Sequence, residues 1–393
     1  METKKLKSIL FLHSSSDLYG ASKVLIQSII AYQNYGFKCI LVVSAPGPFS
    51  EKLEALGIKV YFIKLGILRR KYNTPIGLLN RIYFLVKAFG KIKKLIKKYD
   101  VQIIYSNTTA VIIGSIVSKF TRKIHIWHVH EIITTPRPIL WFLSYLMEYA
   151  SDLNITVSSA TFHHWNSINS SLNKKHKLIS IFNGLDATPY LNIDAPLIKN
   201  NNILVVGMIG RINSWKGQSY FIDIAAEIQK MKLAGKSNIQ TIKFIMAGDP
   251  FAGYEYLIDE LEHKKKNLNL TSLISDLGYA ANNVTFFKQI DLLITPSILP
   301  DPLPTVVLEA MAAGKPVAAT KMGGALDMII PNETGILIPW DNAEKAAIQI
   351  IDLINQPELM NSMGLNGRQR VQSHFSIERY HNEIVNCINS IIK

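Results

Sequence analysis

The 393-residue sequence predicts an α/β protein of two doubly wound, Rossmann-like domains facing across a cleft. Three observations predict it. The length exceeds what one hydrophobic core normally organises. In both halves, short apolar runs alternate with amphipathic helical stretches, the pattern of a parallel sheet covered by helices. A polar, proline-bearing break at 186–202 separates the two alternations. Composition agrees, since 48% hydrophobic and 18% charged residues describe an ordinary globular chain.

In the first half, Ser8–Leu12, Cys39–Val43, Val60–Ile63, Gln102–Tyr105, Ile124–Val129 and Leu153–Val157 read as buried strands. Helical periodicity fills Ser22–Tyr35 and Leu78–Lys98 between them. The first domain therefore spans 1–185 and the linker 186–202, with Pro189, Pro196 and the run Lys199-Asn-Asn-Asn. The second domain, 203–375, begins with strand Ile203–Ile209 and a helix near Gly217–Met231. Strand Ile242–Ala247 and a helix through Tyr254–Lys266 follow. Strands at Val284–Phe287 and Leu292–Thr295, a helix after Pro304, and strands Pro316–Thr320 and Gly335–Ile338 complete it. The tail, 376–393, is amphipathic. Ligands of such sheets sit at the carboxyl ends of strands, so chemistry is sought there.

Cys39 and Cys387 lie in apolar stretches and give neither a disulfide framework nor a zinc site. The apolar run after the basic amino terminus stops at His13, too short for a signal peptide. No stretch reaches the ~20 apolar residues of a membrane span. The expectation is a cytoplasmic protein. The formal net charge of +14 draws it toward polyanions. From Arg69 to Lys98 there are ten Lys or Arg and no acid, with Ile82, Leu85, Val86, Phe89, Ile92 and Ile96 at helical spacing and Lys87, Lys91, Lys94 and Lys98 on another face. That stretch fits peripheral contact with an anionic membrane. A solvated helix face is the plainer reading. No nucleic-acid-binding module is visible, so specific nucleic acid is not expected.

The richest segment runs from Asp301 through Pro302, Pro304, Thr305 and Glu309 to Gly314, Pro316, Gly323 and Gly324. Two prolines stiffen a loop, a helix starts near Thr305, and a loop carboxylate and a helix carboxylate stand eight positions apart. Carboxylates accept from vicinal hydroxyls, and a helix amino end favours phosphate. A second constellation, Gly207-Met-Ile-Gly210-Arg211 to Lys216-Gly217, directly follows a strand. Small residues there admit a phosphate to the backbone, and two cations can neutralise a diphosphate. Together these segments resemble the E-x7-E and G-R-x(4)-K-G motifs of the retaining family 4 glycosyltransferases (glycosyl transferases group 1), whose fold is called GT-B.

The resemblance implies that Glu309 holds the ribose of a nucleoside-diphosphate sugar, Asp301 its sugar, and Arg211 and Lys216 its diphosphate. Asp301 departs from the usual Glu and reaches one methylene less far. The resemblance further implies roles for Gly210 and Thr305 beside the phosphates. Gly20, in Tyr19-Gly20-Ala21, would lie near acceptor and phosphate, and Gly278 and Tyr279 near the base. His130, in His128-Val-His130-Glu131, would lie near the donor sugar. A metal site there competes, but lacks helical spacing and a third ligand cluster. Asn183-Gly184-Leu185-Asp186 resembles the close of the family's first domain, or is simply an Asx turn. Asp-x-Asp is absent, which supports a metal-independent diphosphate site, and the resemblance implies a hexosyltransferase with no cofactor beyond a UDP- or GDP-linked donor and with a glycan or lipid-linked acceptor of cell-surface polysaccharide synthesis. The tail would cross back to the first domain. Alternatives are an epimerase or phosphorylase of the same architecture, or a basic scaffold without catalysis.

Overall fold

The computed structural model describes residues 7–67, 72, 74–193, 203–280 and 282–391. Positions 69–71 and 73 of the basic stretch and 194–202 of the linker lie outside them. The chain divides into two compact units, one of Met1–Gly184 with Ile377–Lys393 and one of Leu185–Ser376.

The first unit carries strands β1 (Ser8–His13), β2 (Lys38–Val43), β3 (Lys59–Phe62), β4 (Val101–Asn107), β5 (Ile124–Val129), β6 (Leu153–Thr156) and β7 (Leu178–Ser180). They are all parallel, in the order β3-β2-β1-β4-β5-β6-β7. The second unit carries β8 (Ile203–Ile209), β9 (Thr241–Ala247), β10 (Ile274–Asp276), β11 (Leu292–Thr295), β12 (Val317–Thr320) and β13 (Ile336–Ile338), parallel in the order β10-β9-β8-β11-β12-β13. In both, the order reverses beside the first strand. The switch points are β1/β4 and β8/β11, where open α/β sheets bind ligands.

Strand β1 is buried throughout because both sheet faces are covered. Its pleat sends Ile9 and Phe11 to one core and Leu10 and Leu12 to the other. The first of these cores receives the carboxyl-terminal helix Ile377–Asn389. Tyr380, Ile384 and Ile388, four residues apart, pack with Phe11 and Tyr32. The Tyr380 hydroxyl bonds Ser28 Oγ at 2.6 Å, and the Tyr32 hydroxyl donates to the Ile384 carbonyl at 2.9 Å.

Helix boundaries depart from the sequence expectation by a few residues. Pro75–Tyr99 starts earlier than Leu78, because Thr74 caps the Gly77 amide at 3.1 Å and Pro75 suits the first turn. One element changes type. Val284–Phe287, expected as a strand, lies in the helix Asn283–Phe287. Asn282 caps the Val284 amide at 2.9 Å, and Phe286, Phe287 and Ile290 are buried at helical rather than alternating spacing. Strands β7 and β10, three residues each, were too short to register as periodic runs.

Candidate functional site

In the second unit the loop after β8 is stitched to its neighbours at the carboxyl edge. The Gly210 amide donates to the Ala247 carbonyl at 2.9 Å and Ile212 to Asp249 at 3.1 Å, along the end of β9. Asn213 Oδ1 then accepts from the amides of Trp215 and Lys216, at 3.1 and 2.8 Å, an Asx turn that folds the chain back. Gly217 has φ +86°, and a Cβ there would stand 1.8 Å from the Pro296 carbonyl oxygen, so only glycine fits. This contact brings the loop after β8 onto the loop after β11. There Lys216 Nζ meets Asp301 Oδ2 at 2.5 Å, with both side chains largely buried. The two motifs, 85 residues apart in sequence, thus share one ion pair.

The remaining predicted residues are held separately. The Arg211 guanidinium stacks 3.4 Å from the ring centre of Phe251, a planar cation on an aromatic face. Gln218 Nε2 donates to the Gly210 and Arg211 carbonyls at 3.3 and 3.0 Å and so fixes that backbone. A Cβ on Gly210 would meet no protein atom within 4 Å, in contrast to Gly217. Asp301 is fixed through its backbone: Gly324 N donates to its carbonyl at 2.8 Å, and Gly323 approaches so closely that a Cβ would lie 2.2 Å from that oxygen. Thr305 opens the helix Thr305–Ala312, in whose first turn Val307 N donates to the Pro304 carbonyl at 2.9 Å.

Glu309, 3% exposed, accepts from Asn283 Nδ2 at 2.5 Å. Burial first, and then the charges of Glu309 and Asp186, push the Tyr190 hydroxyl pKa upward, which places Glu309 near that ring. The Gly278 carbonyl accepts from Gly248 N at 2.7 Å, and Tyr279 beside it is exposed. Sequence reading missed Asn283, Asn213, Gln218 and Phe251. Only the Asn213 turn had a local signal; Asn283 was hidden by the mistaken strand.

In the first unit a buried polar network lines the carboxyl ends of β1, β4 and β5. Asn107 Nδ2 lies 3.2 Å from the Ala21 carbonyl and 3.1 Å from His13 Nδ1, and its Oδ1 lies 2.9 Å from His130 Nε2. A carbonyl only accepts, so the Asn107 amide nitrogen must face Ala21. Its oxygen then requires a proton on His130 Nε2, which leaves His130 Nδ1 as an acceptor. By the same logic His13 accepts at Nδ1 and donates from Nε2 to Ser22 Oγ, 2.9 Å away. Burial, followed by His128 and His13, holds His130 well below the usual imidazole pKa, so it stays neutral.

His128 packs against His130 with ring centres 4.2 Å apart and the planes tilted by 44°, bonds the Tyr105 hydroxyl, and is held down to about 3 by burial. Glu131 Oε2 accepts from the amides of Thr109 and His130, at 3.0 and 3.2 Å. Between them Thr108 has φ +77°, strained for a β-branched residue. Its amide donates to the His128 carbonyl and its own carbonyl accepts from Trp127 Nε1, which together impose that backbone. Gly20 starts the helix Gly20–Asn34, and a Cβ there would touch nothing within 4 Å. Asp186 makes an Asx turn to the Thr188 amide at 3.0 Å.

Known proteins resemble the chain in sequence and in fold. Residues 191–370 match the family model of the glycosyl transferases group 1. The capsular polysaccharide biosynthesis glycosyltransferase CapM of Staphylococcus aureus is 26% identical over 333 residues, 78% of this chain and 83% of that protein. HepE of Anabaena, solved in complex with UDP and glucose, superposes with a TM-score of 0.81 at 24% identity, over 97% of this chain and 99% of HepE. TarM of S. aureus, solved with UDP among its ligands, gives 0.73 at 16% identity over 97% and 99% of the two chains. The parallel-sheet fold is that of the GT-B glycosyltransferases, and the segment 191–370 is similar to the glycosyl transferases group 1.

Proposed function

We propose that the protein is a retaining hexosyltransferase that moves a sugar from a nucleoside-diphosphate donor to a glycan or lipid-linked acceptor in cell-surface polysaccharide synthesis, without a metal ion. The observation that carries this reading is the Lys216–Asp301 ion pair at the β8/β11 switch point. It draws a phosphate-type loop and a carboxylate-bearing loop to one spot. The relatives' activities point the same way: CapM is a capsular glycosyltransferase, and HepE has been solved with UDP.

In this reading Glu309, steadied by Asn283, accepts from the ribose hydroxyls, and the Gly278–Tyr279 backbone borders the base. Gly210, where a Cβ would meet no protein atom within 4 Å, lets the diphosphate reach the backbone. Arg211, Lys216, Thr305 and the helix amino end balance the diphosphate charge, which grows as the anomeric bond breaks, so they favour the transition state over the ground state. Asp301 orients the sugar, and binding of the diphosphate competes with Asp301 for the Lys216 ammonium. In the first unit, Gly20 and the neutral His130, with Nδ1 as acceptor, position hydroxyls. The acceptor oxygen attacks from the face that the phosphate leaves, and the departing phosphate takes its proton.

Calorimetric titration with UDP, GDP and their sugars, with and without Mg²⁺, tests the donor side. Metal-independent binding of one nucleotide, lost in Glu309→Ala and Arg211→Ala, is the expected result. Absence of nucleotide binding by the folded protein would overturn the reading and leave a scaffold role. The anomeric configuration of the product, read by NMR, decides retention.

A further inference from the structure

A helix on a parallel sheet ordinarily turns an apolar stripe inward and polar residues outward. Two helices of the first unit break this rule. The helix Pro75–Tyr99 buries Ala88, Ile92, Leu95, Ile96 and Tyr99, all in its second half. In its first half Ile76 is 82% exposed, Leu79 67% and Val86 70%, with Ile82 and Tyr83 also outward. The helix Arg137–Ala150 buries Leu140, Leu143 and Met147 on one side. On the other it exposes Trp141, Phe142, Tyr145 and Tyr149, whose spacing makes one uncharged aromatic face.

The two helices flank the helix Ile113–Thr121, which packs against both. Leu85 of the first helix packs into the same cluster as Ile139 and Leu143 of the second. The β3-to-β4 and β5-to-β6 crossovers run in the same direction across the sheet, so their right-handed connections lie on one side. Each helix starts beyond the carboxyl end of a strand. The exposed first half of Pro75–Tyr99 and Trp141 and Phe142 of Arg137–Ala150 therefore lie toward the edge that carries His13, Asn107 and His130, with Tyr145, Tyr149 and the lysine row farther along the helices.

Charge identifies the occupant. The helix Pro75–Tyr99 has seven basic residues and no acidic one, and Lys87, Lys91, Lys94 and Lys98 are exposed. Apolar residues beside a lysine row, with Trp and Tyr nearby, form the combination of a segment that lies in a lipid headgroup layer. Among the described residues no helix is long and apolar enough to cross a membrane, so the contact is with the surface.

We propose that this two-helix face docks the first unit on an anionic phospholipid bilayer. Trp141, Phe142 and Tyr145, with the exposed first turns of Pro75–Tyr99, enter the headgroup layer, and the lysine row meets its phosphates. Docking lays this helical layer along the membrane, with the carboxyl edge of the first sheet beside the headgroup layer. A consequence that rests on the glycosyl-transfer reading is that the acceptor is an amphiphile whose head stands in that layer.

Co-sedimentation of the full chain with vesicles tests the docking. Vesicles of phosphatidylcholine containing phosphatidylglycerol should bind roughly tenfold or more tightly than phosphatidylcholine alone, and added salt should weaken the binding. The aromatic variant Trp141→Ser/Tyr145→Ser, the aliphatic variant Ile82→Ser/Val86→Ser and the charge variant Lys87→Glu/Lys91→Glu should each lose roughly tenfold, with nucleotide binding unchanged as the control for folding. Three results would overturn the proposal: no preference for the anionic lipid, full binding by both the aromatic and the aliphatic variants, or a stable wild-type dimer that Trp141→Ser/Tyr145→Ser dissociates. If vesicles bind but no nucleotide does, the docking stands and the transferase reading falls.

Discussion

At the scale of single residues, the most informative side chain is Asn107, because a fixed amide dictates the tautomer of a histidine. Asn107→Ala removes that constraint and should lower kcat roughly tenfold to a hundredfold with little change in donor KM. Asn107→Asp places a carboxylate beside His13 and His130 and raises their pKa values. The pH–rate profile should then gain an acid limb that the wild type lacks. Glu309→Gln, which keeps the shape and the Asn283 contact, should weaken UDP binding roughly tenfold to a hundredfold in calorimetry.

His125 gives a stability prediction with a definite sign. Burial holds its folded pKa down to about 3, while the unfolded chain keeps the ordinary value near 6.5. Below that value the unfolded state takes up a proton that the folded state refuses. Stability is therefore full above the unfolded pKa and falls as pH drops toward the folded one, by about 1.4 kcal/mol per pH unit. Urea unfolding of wild type and His125→Gln between pH 7.5 and 5 should show a slope shallower in the variant by that amount.

At the scale of elements, two glycines of one loop should behave oppositely. Gly217 is required by the fold, since its φ of +86° and the Pro296 carbonyl leave no room for a Cβ. Gly217→Ala should lower the melting temperature by several degrees. Gly210 has open space, so Gly210→Ala should leave melting unchanged and weaken nucleotide binding. Thermal melts and calorimetry on both variants separate a structural glycine from a ligand-facing one. The motif G-R-x(4)-K-G made both look alike. The cap at Asn282 belongs to this scale too: Asn282→Ala should cost about 1 kcal/mol and loosen Asn283 from Glu309.

At the scale of the whole molecule, the chain returns to its first unit at its end. Tyr380, Ile384, Val385, Cys387 and Ile388 are buried in that core. Their burial contributes on the order of 10 kcal/mol, comparable to the whole stability of a domain. Truncation after Ser376 should unfold residues 1–184 and leave 185–376 protected, as limited proteolysis would reveal.

The sequence by itself determined the two alternations, most strand positions and the motif segments around Arg211, Lys216, Asp301 and Glu309, because apolar periodicity and turn chemistry are local. It did not reveal which partner each polar group takes. Lys216 meets Asp301 because Gly217 and Pro296 press two loops together across 85 residues. Glu309 meets Asn283 because an asparagine cap turned an apolar run into a helix. His130 has its tautomer because strand order places Asn107 beside it. The aromatic outer face of Arg137–Ala150 was hidden because the polar Ser144 and Glu148 lie on its buried side; a sequence pattern gives the period of a helix, but only packing decides which side is inside.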